Sequence, residues 1–262
     1  MILPASYQSG FAPRDGQPLY PELWRGCVGA WAPGLGPTGL TLRDWSGFGN
    51  RGELILRTAS AAWTTSQYGH SMLFAGSSVS ESPSTQGRIV VSQDLGVDRI
   101  GISCWLRPTS LTKRGICTSG PQQGIPRFAI TLLTTGQLEV YRGGNTTSTT
   151  TLSAGAWHHC FVWNDGAHTS YWINGQFSNT SAQTIAQPLQ TEFSIGANYW
   201  GAFDGQIADF RVYSDRPSEN SIRDLARRPG IAYEMAPRRR SRVAVITSGF
   251  SALRPSILRG SR

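Results

Sequence analysis

The chain contains 262 residues, of which 39% are hydrophobic and 15% are charged, and it includes 9 Trp and 30 Gly. This length and apolar content are sufficient for one large folded domain and exclude a fully disordered chain. No apolar run reaches the roughly 18 residues that a membrane helix needs, so we expect no membrane partner. The N-terminus has neither the basic nor the apolar region of a signal peptide, so we expect synthesis in a cytoplasm without N-terminally directed export.

The net charge of +8 lies at the C-terminal end of the chain. Residues 211–262 contain twelve Arg and four acidic residues, a net charge of +8, so the first 210 residues are neutral overall. A basic run of this kind can bind nucleic acid, bind an acidic protein surface, or simply remain solvated. Few aromatic residues interleave with the arginines, so nucleic acid is not the expected partner. The run consists of Arg238, Arg239, Arg240 and Arg242.

The first part of the chain is predicted to form short β-strands after an extended arm. Residues 1–20 show no periodicity, which predicts an N-terminal arm. Over residues 21–215, segments with alternating bulky side chains are joined by Gly-, Pro- and Asn-rich connections, as in an antiparallel β domain. The polar segment 143–150 has no core-forming residue and is predicted to be a hairpin tip. The predicted strands include 26–31, 71–76, 88–92, 102–108, 128–133, 137–142, 193–197 and 203–213.

The clearest element is a β-hairpin over residues 157–176. Its first strand leads into a turn at Asn164-Asp165-Gly166, and its second strand ends in Asn174-Gly175, a strong hairpin signal. Alternation in this hairpin and in the other strands predicts a set of largely buried side chains. The predicted core contains Trp105, Trp157, Phe161, Ile173, Phe193, Ile195, Ile207 and Phe210.

The periodicity changes after residue 213, where a short helix is predicted over 216–229. Ser218 can cap its N-terminus, Glu219 lies in the first turn, arginines lie in the last turn, and Pro229-Gly230 closes it. Residues 230–262 are too apolar for a solvated linker and too few to form a core, so we expect an arm that becomes ordered on a partner. Val243, Val245 and Ile246 lie in a segment of this arm that could add a strand to another subunit's sheet.

Several motifs resemble the laminin-G-like, concanavalin A-type jelly-roll family. They are the "WHH" strand at 157–159, a hairpin at 171–175 similar to the family's "YxNG" hairpin, the "FxGxIxDxRxY" strand at 203–213, and the "D-x-S-G-x-G-N-x-G" loop at 44–52. The resemblance covers roughly residues 24–228. It implies an all-β fold, a two-sheet antiparallel jelly-roll sandwich with extended N- and C-terminal arms and one short C-terminal helix. The family includes lectins, adhesion modules, enzyme-appended domains and viral structural proteins, so it does not fix the function.

Catalytic residues are not expected. A glycoside hydrolase of this fold would need two carboxylates close together on one sheet face. None of the seven Glu lies within three residues of another acidic residue, and the adjacent His158 and His159 point to opposite faces of a strand. The chain is therefore predicted not to be an enzyme.

The family resemblance implies one structural calcium ion and no other cofactor. Its ligands would be oxygen atoms of Asp44, Asn50 and Asp209, with Asp204 as the alternative to Asp209. The chain departs from the family at Phe74-Ala75-Gly76, where relatives often carry an additional Asp. The alternative is that Asp44 and Asn50 only hydrogen-bond the backbone of the turn.

Exposed aromatic and amide side chains near strand ends predict a carbohydrate-binding surface. The candidates are Tyr141, Asn198, Tyr199 and Trp200. The alternative for Trp200 is that it folds back over a sheet edge.

The four cysteines, Cys27, Cys104, Cys117 and Cys160, show no metal-binding spacing. Cys104 and Cys160 lie within predicted strands and are expected to be buried thiols. The sequence leaves open whether Cys27 or Cys117 forms a disulfide.

The helix, the "Y-x-M-x-P-R-R-R" stretch from Tyr233 and the apolar arm together resemble proteins encoded among tailed-phage structural genes. This resemblance implies a non-enzymatic virion protein, either a capsid decoration or a tail-associated protein, with other virion proteins and copies of itself as partners. A displayed domain of this kind could bind glycans. The alternative is a stand-alone carbohydrate-binding lectin or adhesion module.

Overall fold

The computed structural model describes residues 18–33, 39–55, 61–76, 87–91, 95, 99–120, 128–183 and 192–234. In this part of the chain, no helix has the length and apolar character needed to cross a membrane. The first half contains β1 (Cys27–Trp31), β2 (Thr41–Leu42), β3 (Gly52–Ile55), β4 (Ala61–Ser66), β5 (Gly69–Ala75), β6 (Arg88–Val91), β7 (Ile100–Pro108), β8 (Arg114–Ser119) and β9 (Phe128–Leu132). The second half contains β10 (Gln137–Tyr141), β11 (Asn145–Thr151), β12 (His158–Asn164), β13 (His168–Ile173), β14 (Gln176–Ala182), β15 (Phe193–Ile195), β16 (Ala197–Asn198), β17 (Gly201–Ala202), β18 (Asp204–Tyr213) and the helix α1 (Glu219–Leu225).

The strands form two sheets, which confirms the predicted two-sheet antiparallel sandwich. The eight-stranded sheet has the order β14-β13-β12-β7-β18-β5-β4, and β1 pairs with β18. The ten-stranded sheet has the order β11-β10-β9-β8-β15-β6-β3-β2, and the short strands β16 and β17 join it beside β8. Only the pairing of β17 with β8 is parallel among the described strands.

The core between the sheets follows from alternation along the strands. On β12, Cys160 and Val162 belong to this core, whereas Phe161 and Trp163 point to the opposite face. That outer face of the eight-stranded sheet is covered by a second apolar layer, which includes Leu23 and residues of α1. Because both of its faces are buried, the central strands of this sheet carry bulky side chains on both sides.

The hairpin of β12 and β13 confirms the sequence prediction, and the turn after β13 explains the Asn-Gly pair. Asn174 and Gly175 both have positive φ angles, 52° and 77°, as a type I′ turn between β13 and β14 requires. The Asn174 side chain also accepts a hydrogen bond from the backbone N–H of His159 at 3.0 Å, which fixes the turn against β12.

The polar segment predicted to be a hairpin tip is instead mostly strand β11, at the edge of the ten-stranded sheet. Its neighbour across the sandwich is β14, the edge of the other sheet. The Asn179 side chain accepts a hydrogen bond from Thr149 N–H at 2.9 Å and donates one to Thr147 C=O at 3.0 Å. Ser178 accepts a further bond from Thr150 N–H. Polar side chains of β14 therefore bond backbone groups of β11 at the free edge of the sheet. A hydrophobicity pattern cannot predict an edge strand of this kind.

Trp157 departs from the predicted core. It lies just before β12 and is half-buried, with its ring 6.1 Å from that of the partly exposed Tyr68. Alternation predicts the face of the sheet on which a side chain lies. It does not show that Trp157, at the end of its strand, lies beyond the second apolar layer that covers this face. The other predicted core residues are buried: Trp105, Phe161, Ile173, Phe193, Ile195, Ile207 and Phe210.

The C-terminal helix α1 spans Glu219–Leu225 and is therefore shorter than the predicted 216–229. Ser218 caps its N-terminus as predicted. Residues 230–234 are not the beginning of an arm. They include a 3-10 helix, Ile231–Tyr233, that is buried in the second apolar layer. Leu19 N–H donates a hydrogen bond to Glu234 C=O at 2.7 Å, so the two described ends of the chain meet there. Most of the two predicted arms, residues 1–17 and 235–262, lies outside the described residues.

All four cysteines are buried free thiols, which agrees with the expectation for Cys104 and Cys160. These two face each other across β7 and β12. Burial raises the pKa of the Cys27 thiol to about 12, so this sulfur stays protonated and unreactive at neutral pH.

Candidate functional site: an exposed aromatic turn

A two-residue turn between β16 and β17 exposes two aromatic side chains. Tyr199 is 49% exposed and Trp200 is 37% exposed, and their rings pack edge to face with centroids 5.5 Å apart. The turn depends on Gly201, whose φ of 99° places it in the region that favours glycine. The alternative, in which Trp200 folds back over a sheet edge, would bury this ring, whereas 37% of Trp200 is exposed.

Asn198 was predicted to contact sugar, but it is fully buried. Its side-chain N–H groups donate to Ile130 C=O at 3.1 Å and to Thr131 Oγ1 at 3.0 Å, and its Oδ1 accepts from Trp200 N–H at 2.7 Å. The backbone of β8 passes so close that a Cβ atom at Gly115 would lie 2.2 Å from Asn198 Cγ. Asn198 therefore positions the turn and has no free amide group for a ligand.

Two charged residues lie beside this turn, and sequence reasoning missed both. Lys113 Nζ lies 3.8 Å from the centroid of the Trp200 ring and 3.2 Å from Glu139 Oε1. The ammonium group thus joins a cation–π contact to an ion pair. Lys113 is the only lysine in the chain, which was the one signal that could have drawn attention to it. The Glu139 side chain is largely buried and holds the ammonium in place. We call Lys113, Tyr199 and Trp200 the aromatic turn surface.

Tyr141 lies on the same face of β10 as Glu139, two residues further along the strand, or about 7 Å away. It is half-buried, and its backbone pairs with Ala129 and Asn145. No ring contact joins it to Tyr199 or Trp200 within the described residues. The predicted sugar-binding set is therefore divided: Tyr199 and Trp200 form one surface, Tyr141 borders it through Glu139, and Asn198 lies beneath the turn.

The predicted calcium ligands Asp44 and Asn50 are held by hydrogen bonds within their own loop. Asp44 Oδ1 accepts from Ala30 N–H at 3.0 Å and Ser46 N–H at 2.8 Å, and Oδ2 accepts from Asn50 N–H at 2.8 Å and the Ser46 hydroxyl at 2.7 Å. The Asn50 amide donates to Val28 C=O at 2.7 Å. This is the alternative arrangement, in which Asx residues bond the backbone of the turn.

Asp209 belongs to a different network. Its Oδ1 accepts from Arg211 Nε at 2.8 Å and its Oδ2 from Gly230 N–H at 2.8 Å. The carboxylates of Asp44 and Asp209 therefore belong to separate networks, with four donors on Asp44 and two on Asp209, and do not fit a shared calcium ion. Within the described ranges, no group of three or more His, Cys, Asp or Glu side chains could hold a metal.

Calcium binding was predicted from the family resemblance and is untested. The hydrogen bonds around Asp44 and Asp209 lead us to expect no binding. We expect the same melting temperature in EDTA and in millimolar calcium, because the donors around Asp44 would have to be displaced before an ion could bind. A resident ion at 100 times its dissociation constant would add about 2.7 kcal/mol. An increase in melting temperature with calcium, measured by scanning calorimetry, would contradict this expectation.

Two serine–histidine contacts lack the geometry of a catalytic pair. Ser103 Oγ lies 2.9 Å from His159 Nε2, but both residues are buried, and His159 Nδ1 has no partner among the described residues. Ser153 Oγ lies 3.1 Å from His158 Nε2, and the Asn174 amide nitrogen lies 3.3 Å from the other ring nitrogen. In the described part of the chain, neither pair has a carboxylate that would orient the imidazole as a general base.

The residues predicted to form the assembly arm, Arg238 to Arg242 and Val243 to Ile246, lie outside the described residues. Their role in assembly therefore stays a prediction from the sequence.

The chain belongs to the concanavalin A-like lectin/glucanases superfamily, whose laminin-G-type family model matches residues 83–223, more than half of the chain. This agrees with the family resemblance seen in the sequence motifs. No curated protein sequence matches the chain significantly.

Solved structures show the same fold at low sequence identity. Domain 4 of an extracellular GH43 arabinanase from Geobacillus stearothermophilus, solved with arabinotriose, has a TM-score of 0.59 and 18% identity over 76% of this chain and 98% of that domain. The botulinum neurotoxin type G receptor-binding domain has a TM-score of 0.58 and 11% identity over 77% of this chain. A Trypanosoma rangeli sialidase has a TM-score of 0.57 and 15% identity over 77% of this chain. The chain spans 51% of the toxin domain and 32% of the sialidase, so the likeness concerns only part of each.

Proposed function

We propose that the chain is a non-enzymatic carbohydrate-binding module displayed on a bacteriophage particle. The observation that carries the binding role is the exposed aromatic turn, where Tyr199 and Trp200 lie beside the Lys113–Glu139 ion pair. Aromatic rings offer apolar faces for the C–H groups of a sugar, and the partly exposed Lys113 ammonium offers a donor for its hydroxyls. The lectin-like fold supports this role, as does the arabinotriose complex of the similar arabinanase domain.

A glycan array tests the binding role. The folded full-length protein is expected to retain one or more glycans and to release no product from them. Hydrolysis of any bound glycan would contradict the non-enzymatic role. The Ser–His contacts described above support the expectation of no turnover, because neither has an orienting carboxylate among the described residues.

The particle role rests on the resemblance of the segment from Tyr233 onward to proteins encoded among tailed-phage structural genes, and the placement of the described ends is compatible with attachment there. Residues 18–20 and 230–234 meet on the outer side of the eight-stranded sheet, where Leu19 bonds Glu234. The aromatic turn belongs to the other sheet. A domain attached through both of its termini would therefore be held by the side that does not carry the aromatic turn. The arginines at 238–242 and the apolar residues at 243–246 would contact other virion proteins or another copy of the chain.

Truncation tests this anchoring. Removing residues 237–262 should leave the melting temperature nearly unchanged but abolish incorporation into particles or oligomers, measured by co-sedimentation. Removing residues 230–262 should lower the melting temperature as well, because Ile231 and Tyr233 are buried and Trp24 Nε1 donates to Ala232 C=O at 2.8 Å. Normal assembly without residues 237–262 would place the anchor elsewhere, with residues 1–20 as the next candidate.

A stand-alone lectin is the second candidate function. It is favoured by the same aromatic turn, which needs no particle to bind sugar. Absence of the protein from purified particles, together with binding on the array, would select it.

A further inference from the structure

A groove at the eight-stranded sheet combines the aromatic rings of Tyr68 and Trp157 with the guanidinium group of Arg107. It has a volume of about 370 Å³ and lies between the turn of the β4–β5 hairpin at 66–68, Arg107 of β7 and the loop at 155–157. We call it the Trp157 groove. Its volume falls within the range of small-ligand sites. It is separate from the aromatic turn surface, which belongs to the ten-stranded sheet.

The aromatic walls of the groove are held in place from below. The Tyr68 ring lies 6.1 Å from Trp157 at an interplanar angle of 75°, and 6.0 Å from Trp105. Trp105 is buried, packs against His159 at 5.6 Å and donates its indole N–H to Leu225 C=O at 3.2 Å. Tyr68 remains 38% exposed and Trp157 half-buried, so both rings present surface to a ligand on a rigid base.

The charge of the groove is positive. Arg107 is the only ionisable side chain among its lining residues in the described part of the chain, apart from the Tyr68 phenol. Its Nε donates to Gly155 C=O at 3.0 Å, and Gly155 N–H donates to Pro108 C=O at 2.7 Å, so the guanidinium and the loop are held in register. The Arg107 side chain is exposed and forms no ion pair with any described residue. Its terminal nitrogens are therefore free to bind an anion, and the planar guanidinium suits a carboxylate.

Tyr68 also lines a second cavity, of about 170 Å³, which Asp209 and Arg228 help to line. The Asp209 carboxylate is neutralised by Arg211, and Arg228 is paired with Glu234. Neither adds net charge, so the anion-binding character stays at Arg107. Together with the groove volume of about 370 Å³, this neighbouring cavity favours a chain of sugar units over a single one.

We propose that the Trp157 groove binds an acidic oligosaccharide, with Tyr68 and Trp157 against the sugar faces and Arg107 on a carboxylate. The rings and the amide of Gln67 match a polyhydroxylated ligand, and the unpaired guanidinium selects one that carries negative charge. The inference extends the proposed glycan-binding function to a second site on a different sheet, and it can stand or fail independently of the aromatic turn.

Titration of the full chain with oligogalacturonate, and with a neutral galacto-oligosaccharide of the same length, tests the proposal. Arg107→Gln should weaken oligogalacturonate binding at least tenfold and leave any binding of the neutral oligosaccharide unchanged. Added salt should also weaken binding of the acidic ligand, because the guanidinium is exposed. Arg223→Gln, at an exposed arginine of α1, is the matched control and should change nothing. Trp157→Ala should weaken the acidic ligand as well, with the circular dichroism spectrum confirming that the variant is folded.

The controls separate this site from the first one. Trp200→Ala should leave oligogalacturonate binding intact, and Arg107→Gln should leave binding at the aromatic turn intact. No binding of oligogalacturonate by the folded wild-type protein, or equal binding by Arg107→Gln, would overturn the proposal. Competition by polyglutamate at equal carboxylate concentration would also overturn it, since the groove would then select charge rather than sugar.

Discussion

Replacing Arg211 by Met should destabilise the domain by about 3–5 kcal/mol, because it leaves a buried carboxylate without its cation. Arg211 is fully buried, its Nε binds Asp209 Oδ1 at 2.8 Å, and its guanidinium lies 4.8 Å from the Trp24 ring and 4.5 Å from the Tyr233 ring. Burial acts to lower the pKa of Arg211, but Asp209 and neighbouring groups raise it well above its ordinary value, so the side chain stays charged. Asp209 also accepts from Gly230 N–H, which ties the C-terminal residues to β18.

Urea unfolding measures this loss, and a second variant identifies its cause. Adding Asp209→Asn to Arg211→Met should recover part of the stability, because the amide oxygen can still accept from Gly230 while the buried charge is gone. Arg216→Met is the matched control: its ion pair with Glu219 is exposed and should contribute less than about 1 kcal/mol. A free energy of unfolding within about 1 kcal/mol of wild type for Arg211→Met would contradict a structural role of this pair.

Acidification from pH 6.5 to pH 4 should cost roughly 3 kcal/mol through His159 alone. Burial and the nearby charge of Arg211 lower the pKa of this imidazole from 6.5 to about 3. Below pH 6.5 the unfolded chain binds a proton that the folded chain cannot bind, so stability falls as the pH falls, down to about pH 3. Burial also lowers the pKa of His158, and its contribution has the same sign.

His159→Gln removes the titrating group while keeping a side chain that can bond the Ser103 hydroxyl. The free energy of unfolding of this variant, measured by urea titration at pH 7, 6, 5 and 4, should depend on pH less steeply than that of the wild type. Parallel curves for the two proteins would show that His159 is not the group responsible.

The fold was predictable from the sequence because its strongest signals are local. The Asn174-Gly175 turn requires positive φ angles, and alternation along the central strands reflects burial on each side of the sheet. Strand β11 was not predictable in this way, because its side chains are polar and its backbone is bonded by the Ser178 and Asn179 side chains of β14. Trp157 was misplaced because alternation gives the face of a side chain but not how far the covering layer extends along the strand.

The candidate site was predictable only in part. The position of Tyr199 and Trp200 between two strands correctly indicated exposure. The same reasoning failed for Asn198, because the sequence does not show whether an amide bonds a ligand or the neighbouring strand, here at Ile130 and Thr131. The contact of Lys113 with Trp200 joins residues that are distant in the chain and depends on the packing of β17 beside β8.

The central claim is that the aromatic turn surface binds glycan, and Trp200→Ala tests it most directly. Isothermal titration with a glycan that is retained on the array and does not compete with oligogalacturonate should show at least a tenfold loss of affinity, or about 1.4 kcal/mol, since truncating an aromatic residue at the centre of a binding site removes much of its binding energy. Phe48→Ala, at a ring that is 55% exposed elsewhere on the surface, is the matched control and should bind like the wild type. Equal affinity of wild type and Trp200→Ala for every glycan that the protein binds would contradict the claim.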